Sequence, residues 1–174
     1  MPNRRADKKP SRGTPSHTAP MLQADDVRTM LLDLSSGIAP ADVAALVGRE
    51  QQLRQRAATL TAPQLALLRD QLALALECLR DHVKGTCPQI PYSTISLLAA
   101  GVCYFADELD LVPDFLPRIG RLDDGAVMAM AFQLGAEGVR RYCTATGRDA
   151  DAVLGVTAAP HVIAATQRRR SSEH

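Results

Sequence analysis

The sequence predicts an all-α fold, and three observations carry that prediction. Apolar residues recur at steps of three, four and seven along most of the chain, and few runs alternate in the manner of a strand. Aromatic residues make up only 3% of the sequence, with no tryptophan, so the core has to be built from Leu, Ala, Val and Met. Such side chains suit close helix packing better than a sheet. With 174 residues, 46% hydrophobic and 22% charged, there is material for one domain with a real core and loose ends. The organisation expected is a disordered basic arm over 1–20, a single helical domain over 21–158 and a disordered tail over 159–174. Within that domain, 24–85 holds the N-terminal helices and 92–146 a two-helix apolar module.

The arm carries Arg4, Arg5, Lys8, Lys9 and Arg12 against Asp7 alone, among Pro, Ser and Thr. It buries too little apolar surface to offset the entropy of ordering. No apolar segment follows its basic start, so it does not read as a secretory signal. Ala24 to Leu34 reads as a short helix with Val27, Met30, Leu31 and Leu34 on one face, ended by Ser35, Ser36 and Gly37. Asp25 and Asp26 suit the positive end of its dipole.

Pro40 to Leu60 is expected as one helix, with Val43, Leu46, Leu53, Ala57 and Leu60 in register and Glu50 placed to pair with Arg54. After the break at Thr61-Ala62-Pro63, a second helix runs to about Val83. Its stripe is Leu65, Leu68, Leu72, Leu76, Leu79 and Val83, widened by Leu67 and Leu74. So short a connection predicts an antiparallel leucine-rich hairpin, with its seam serving as core ahead of a partner-binding face.

Gly85, Pro88 and Pro91 interrupt any regular element, and the most apolar stretch then follows over Ser93–Ala106. It carries no charge from Ile95 to Ala106 and falls short of the roughly twenty residues that span a bilayer, so a buried helix is expected. A partner helix is expected from Asp124 through Val127, Phe132, Leu134 and Tyr142, with Gly101, Gly135 and Gly138 allowing close backbone approach. A short acidic turn or helix follows near Arg148–Leu154.

Between the two apolar helices lies an acidic connector, D-E-L-D-L-V-P-D-F-L-P-R-I-G-R-L-D-D, from Asp107 to Asp124. Pro113 and Pro117 interrupt helix, Gly120 permits a bend, and Asp123 or Asp124 can cap the helix that follows. A helix connection of this length usually has a task. Packing of its apolar residues draws Asp110, Asp114, Asp123 and Asp124 together. Converging carboxylates repel unless they are protonated, paired or used as acceptors. The first reading makes them a structural clasp that caps turns and pairs with Arg118 and Arg121. The second makes them ligands of a hard cation, Mg²⁺ or Ca²⁺. Acid–base catalysis ranks third, because no nucleophile, histidine or phosphate loop accompanies them. Zinc at Cys78, His82 and Cys87 is disfavoured for want of a fourth ligand and of a close cysteine pair.

The pattern Asp110, Pro113, Asp114, Pro117, Gly120, Asp123 and Asp124, set between two apolar helices, resembles the signature of the YkvA-like family, a widespread domain of unknown function. The resemblance spans about Ile95 to Leu134. It implies no established activity, and it implies membrane association through the two apolar helices.

The function expected is therefore that of a non-catalytic helical binding or scaffold protein, engaging an unknown protein partner or a membrane surface on the cytoplasmic side. The alternative is a divalent-cation-binding protein, extending to a metal-dependent hydrolase, using Asp110, Asp114, Asp123 and Asp124. A soluble cytoplasmic protein is the alternative location, consistent with four cysteines that show no CxxC pair. A formal net charge of +1 makes no general electrostatic claim on nucleic acid, so no specific nucleic-acid partner is expected. No catalytic residue or organic cofactor is assigned, and nothing in the pattern fixes an oligomeric state.

Overall fold

In the computed structural model the described residues are 24–86, 90–106 and 121–156, with side chains in the last segment from Asp124 onward. α-Helix and one 3₁₀ turn make up all the regular structure among them, so the fold is all-α. The helices are α1 (Ala24–Gly37), α2 (Pro40–Gly48), α3 (Glu50–Ala58), α4 (Ala66–Val83), α5 (Tyr92–Ala106), α6 (Arg121–Leu134), α7 (Ala136–Thr146) and α8 (Ala150–Leu154), with the 3₁₀ turn at Pro63–Leu65. The basic arm 1–20 and the tail 159–174 lie outside the described residues.

α4 is the central element because it packs on two sides at once, against α2 and α3 and against α5 and α6. Leu68, Leu72, Leu76 and Leu79 are buried as their spacing predicts, and Leu74 and Ala75 are buried with them. At the two ends of the stripe the expectation fails. Leu67 and Val83 are 37% and 45% exposed, since they sit in the first and last turns of α4, at the margin of the packed region.

Glu50 of α3 meets Arg80 of α4, Arg54 meets Glu77, and the Leu60 carbonyl just past α3 accepts from Arg69. As α3 advances, its contacts retreat along α4, so the two helices run antiparallel. The expected single helix Pro40–Leu60 is, however, two helices divided at Arg49. There the Arg49 amide donates to the Leu46 carbonyl at 3.0 Å, a bond to the third residue back that tightens the turn. Gly48, just before it, is a weak helix former. The start of α2 is built as the sequence suggests: Pro40 opens the first turn, and Asp42 Oδ2 accepts from the Ala39 amide at 2.8 Å.

The partner helix expected to run unbroken from Asp124 to Tyr142 is likewise two, α6 and α7, which meet at Gly135. The Gly135 amide still donates to the Ala131 carbonyl at 2.9 Å, and Val139 donates to the Gly135 carbonyl at 3.0 Å. The hydrogen-bond ladder is thus bent at Gly135 rather than abandoned. α7 ends at Gly147, whose φ of 68° lies in the left-handed region that closes helices. Asp149 then caps α8 by accepting from the Asp151 and Ala152 amides at 2.9 and 3.4 Å.

Apolar contacts fall into two clusters. The larger centres on α4 and takes in α2, α3, α5 and α6 together with Val139, Tyr142 and Cys143 of α7 and Leu154 of α8. The smaller lies between α1 and the α5–α6 pair. No disulfide joins Cys78, Cys103 and Cys143, and the first and last of them are buried.

Candidate functional site

The apolar pair α5–α6 forms the most extensive helix contact among the described residues, and it is also where the sequence singled out a connector. Twelve of the fifteen residues of α5 are buried. On α6, Val127, Met128, Ala131 and Phe132 are fully enclosed. Gly101 sets the spacing of the pair: a β-carbon there would stand 3.2 Å from both Ala131 Cβ and Met128 Sδ. Gly138 does the same for α7, with Thr94 of α5 lying where its side chain would be. The glycines read from the sequence as sites of close approach do serve that purpose.

At the end of α5 the Arg56 guanidinium stands 4.7 Å from the Phe105 ring centroid, a cation–π contact. The connector departs from that end. Asp110 and Asp114 lie outside the described residues, as does the side chain of Asp123. Asp124 is half-buried. α6 begins at Arg121, so Asp123 and Asp124 occupy its first turn instead of the capping position expected for them. Neither Arg121 nor Leu122 opposes helix, and carboxylates in a first turn are favoured by the dipole.

Among the described residues no group of three or more His, Cys, Asp or Glu side chains is arranged to hold a metal. Of the zinc trio, Cys78 is buried in the leucine core, Cys87 lies outside the described residues, and the His82 ring packs 5.9 Å from that of Tyr92.

Sequence reasoning missed a ladder of alternating charges that runs from the turn between α7 and α8 across α4. Arg148 pairs with Glu77, which is 3.7 Å from Arg54; Arg54 reaches Glu50 at 2.8 Å, and Glu50 reaches Arg80 at 3.1 Å. Arg80 contacts Asp81 at 3.3 Å, and Asp81 accepts from the Tyr142 hydroxyl at 2.8 Å. Only Glu50–Arg54 was visible, from its spacing of four. Desolvation pulls the Arg80 pKa down, but Glu50 and Asp81 outweigh it and raise the pKa. Burial, then the hydrogen bond to Asp81 and its charge, push the Tyr142 phenol well up. Burial and then Asp42 raise the Cys103 thiol to about 11.

A pH dependence follows. A pKa raised in the folded state contributes stability that is complete below the unfolded value and is lost as pH climbs through the folded one. Cys103 therefore gives up its contribution between its ordinary 9.0 and about 11. Tyr142 does so from its ordinary 10.0 upward. Tyr142→Phe is expected to cost about 1 kcal/mol at neutral pH by leaving Asp81 one donor short. It should also flatten the loss of stability above pH 10, measured by denaturant unfolding across a pH series. An unchanged alkaline slope would assign that loss elsewhere.

No described helix is long and apolar enough to cross a membrane, and α1 with α2 reaches the required length and composition only as a pair bent by 99°.

The chain thus belongs to a class of all-α proteins in which two tightly packed apolar helices flank an acidic, proline-containing connector. Residues 94–130, from α5 through the connector into α6, match the family described as "Protein of unknown function (DUF1232)". The "Uncharacterized membrane protein YkvA" of Bacillus subtilis (strain 168) is 32% identical over 66 residues, covering 38% of this chain and 62% of that protein. The chain spans about three fifths of the length of that curated relative. No solved structure matches it significantly. This segment is similar to the YkvA-like domain of unknown function.

Proposed function

We propose that the chain is a non-catalytic helical module that associates peripherally with an anionic membrane surface on the cytoplasmic side. The observation that carries the peripheral reading is the burial of α5: twelve of its fifteen residues are already used in the core. An apolar helix so enclosed has no lipid-facing side to offer while the fold is closed. Membrane association is supported by the relative, which is named a membrane protein, and by the basic composition of residues 1–20. The non-catalytic reading is supported by the charge ladder, in which Glu50, Glu77 and Asp81 are spent on arginines and on Tyr142.

Flotation with vesicles tests this reading. The purified chain is expected to rise with phosphatidylglycerol-containing vesicles, to stay down with pure phosphatidylcholine, and to be released by about 1 M salt, where the Debye length is about 3 Å. Failure to float with anionic vesicles at low salt would remove the membrane reading. Retention through salt and carbonate would remove the peripheral one.

A further inference from the structure

α1 lies outside the matched segment, yet it covers that segment's apolar pair. Val27 and Leu31, at 5% and 0% exposure, pack on Leu97, Ala100 and Tyr104 of α5 and on Val127 and Ala131 of α6. These contacts form a cluster of their own, joined to the core around α4 through Ile38. The joint beyond α1 is short and anchored. α2 leaves at 99° to α1, the Ile38 carbonyl accepts from the Tyr92 hydroxyl at 3.1 Å, and the Ala39 amide is held by Asp42 at 2.8 Å. Ile38–Ala39 is therefore the point about which α1 would turn. Beneath it lies a continuous apolar face on α5 and α6 with a tyrosine at one end. On the other side of α1 in sequence stand Arg4, Arg5, Lys8, Lys9 and Arg12.

We propose that α1 is a displaceable cover, and that the α5–α6 face beneath it is the surface that docks on an anionic lipid bilayer. This rests on the membrane reading above and adds the surface and its control. Charge complementarity selects the occupant: the five basic residues at positions 4–12, on the N-terminal side of α1 in sequence, are drawn to anionic headgroups. Their attraction to the surface favours the lifted state. Lifting frees the apolar face of the α5–α6 pair for the interface. The bilayer shifts the closed–open equilibrium by its preference for the open form, and weakening the cover tightens apparent binding by the same factor until the open form dominates.

The test compares the wild-type chain, Leu31→Ala, and a variant with the five arm residues changed to glutamine, on anionic and neutral vesicles, with backbone hydrogen exchange read on the wild type. Leu31→Ala truncates the most deeply buried contact of the cover and is expected to tighten binding to anionic vesicles about tenfold or more. The arm variant is expected to weaken it about tenfold or more. In the vesicle-bound wild type, amides of α1 should lose protection while those of α4 keep it. This last readout stands even if Leu31→Ala folds poorly. Vesicle-bound protein whose α1 stays protected overturns the cover and leaves peripheral binding intact. Absence of binding by the wild type and by Leu31→Ala overturns both. A Leu31→Ala chain that dimerises in solution without gaining vesicle affinity would give the face to a second copy and overturn the proposal.

Discussion

Replacing Phe132 by alanine is expected to lower the free energy of unfolding by about 3–5 kcal/mol, the range for deleting a fully enclosed aromatic ring. Phe132 leads the fully buried side chains by volume and has no measurable exposure. It projects from α6 into the main cluster, where α4 and α5 meet. The loss combines the transfer free energy of the ring with a cavity that the surrounding leucines of α4 fill only in part. A midpoint drop of roughly 10 °C or more should accompany it. The control is Leu32→Ala on the outer side of α1, which is 43% exposed and should stay within about 0.5 kcal/mol. Guanidinium unfolding of the two variants checks both. A Phe132→Ala loss below about 1 kcal/mol would mean that the core does not close around this ring.

Burial of this kind was legible where the sequence is strongly periodic. The steps from Leu68 to Leu79 located the central face of α4, and the uncharged run of α5 announced a buried helix. The breaks at Arg49 and Gly135 were not legible, because apolar periodicity continues across a single tightened or bent turn. Nothing in a 3.6-residue pattern registers the change of axis. Gly101, Gly135 and Gly138 could be read as places of close approach, since a residue without a β-carbon in an apolar helix invites a neighbour. Which neighbour it was, Thr94 for Gly138, depended on how α7 packs on α5. Long-range polar pairs were the least visible. Glu50 and Arg54 lie one turn apart, whereas Tyr142 and Asp81 are separated by 61 positions and meet only after α7 has packed on α4. Asp110 and Asp114 lie outside the described residues.

The contact between Gly138 and Thr94 sets two effects of opposite sign against each other. Alanine in place of glycine within a helix gains up to about 1 kcal/mol from backbone entropy. Against that, the added β-carbon would lie 2.7 Å from both Cβ and Cγ2 of Thr94, with Oγ1 closer still. Rotation of the threonine moves its branch atoms but not its Cβ, and Thr94 is only 5% exposed, so α7 has to separate from α5. Overpacking of this sort costs up to about 3 kcal/mol. Gly138→Ala is therefore expected to destabilise by about 2 kcal/mol net. The sign should reverse when the obstacle is removed: in a Thr94→Gly background the same substitution should be neutral or should stabilise by up to about 1 kcal/mol. Thr94 opens the segment matched by the family, and Gly138 lies beyond its end at Met130, so this cycle measures how firmly α7 is fastened to the YkvA-like pair. If Gly138→Ala instead stabilises the otherwise native chain, the two helices do not meet there in solution.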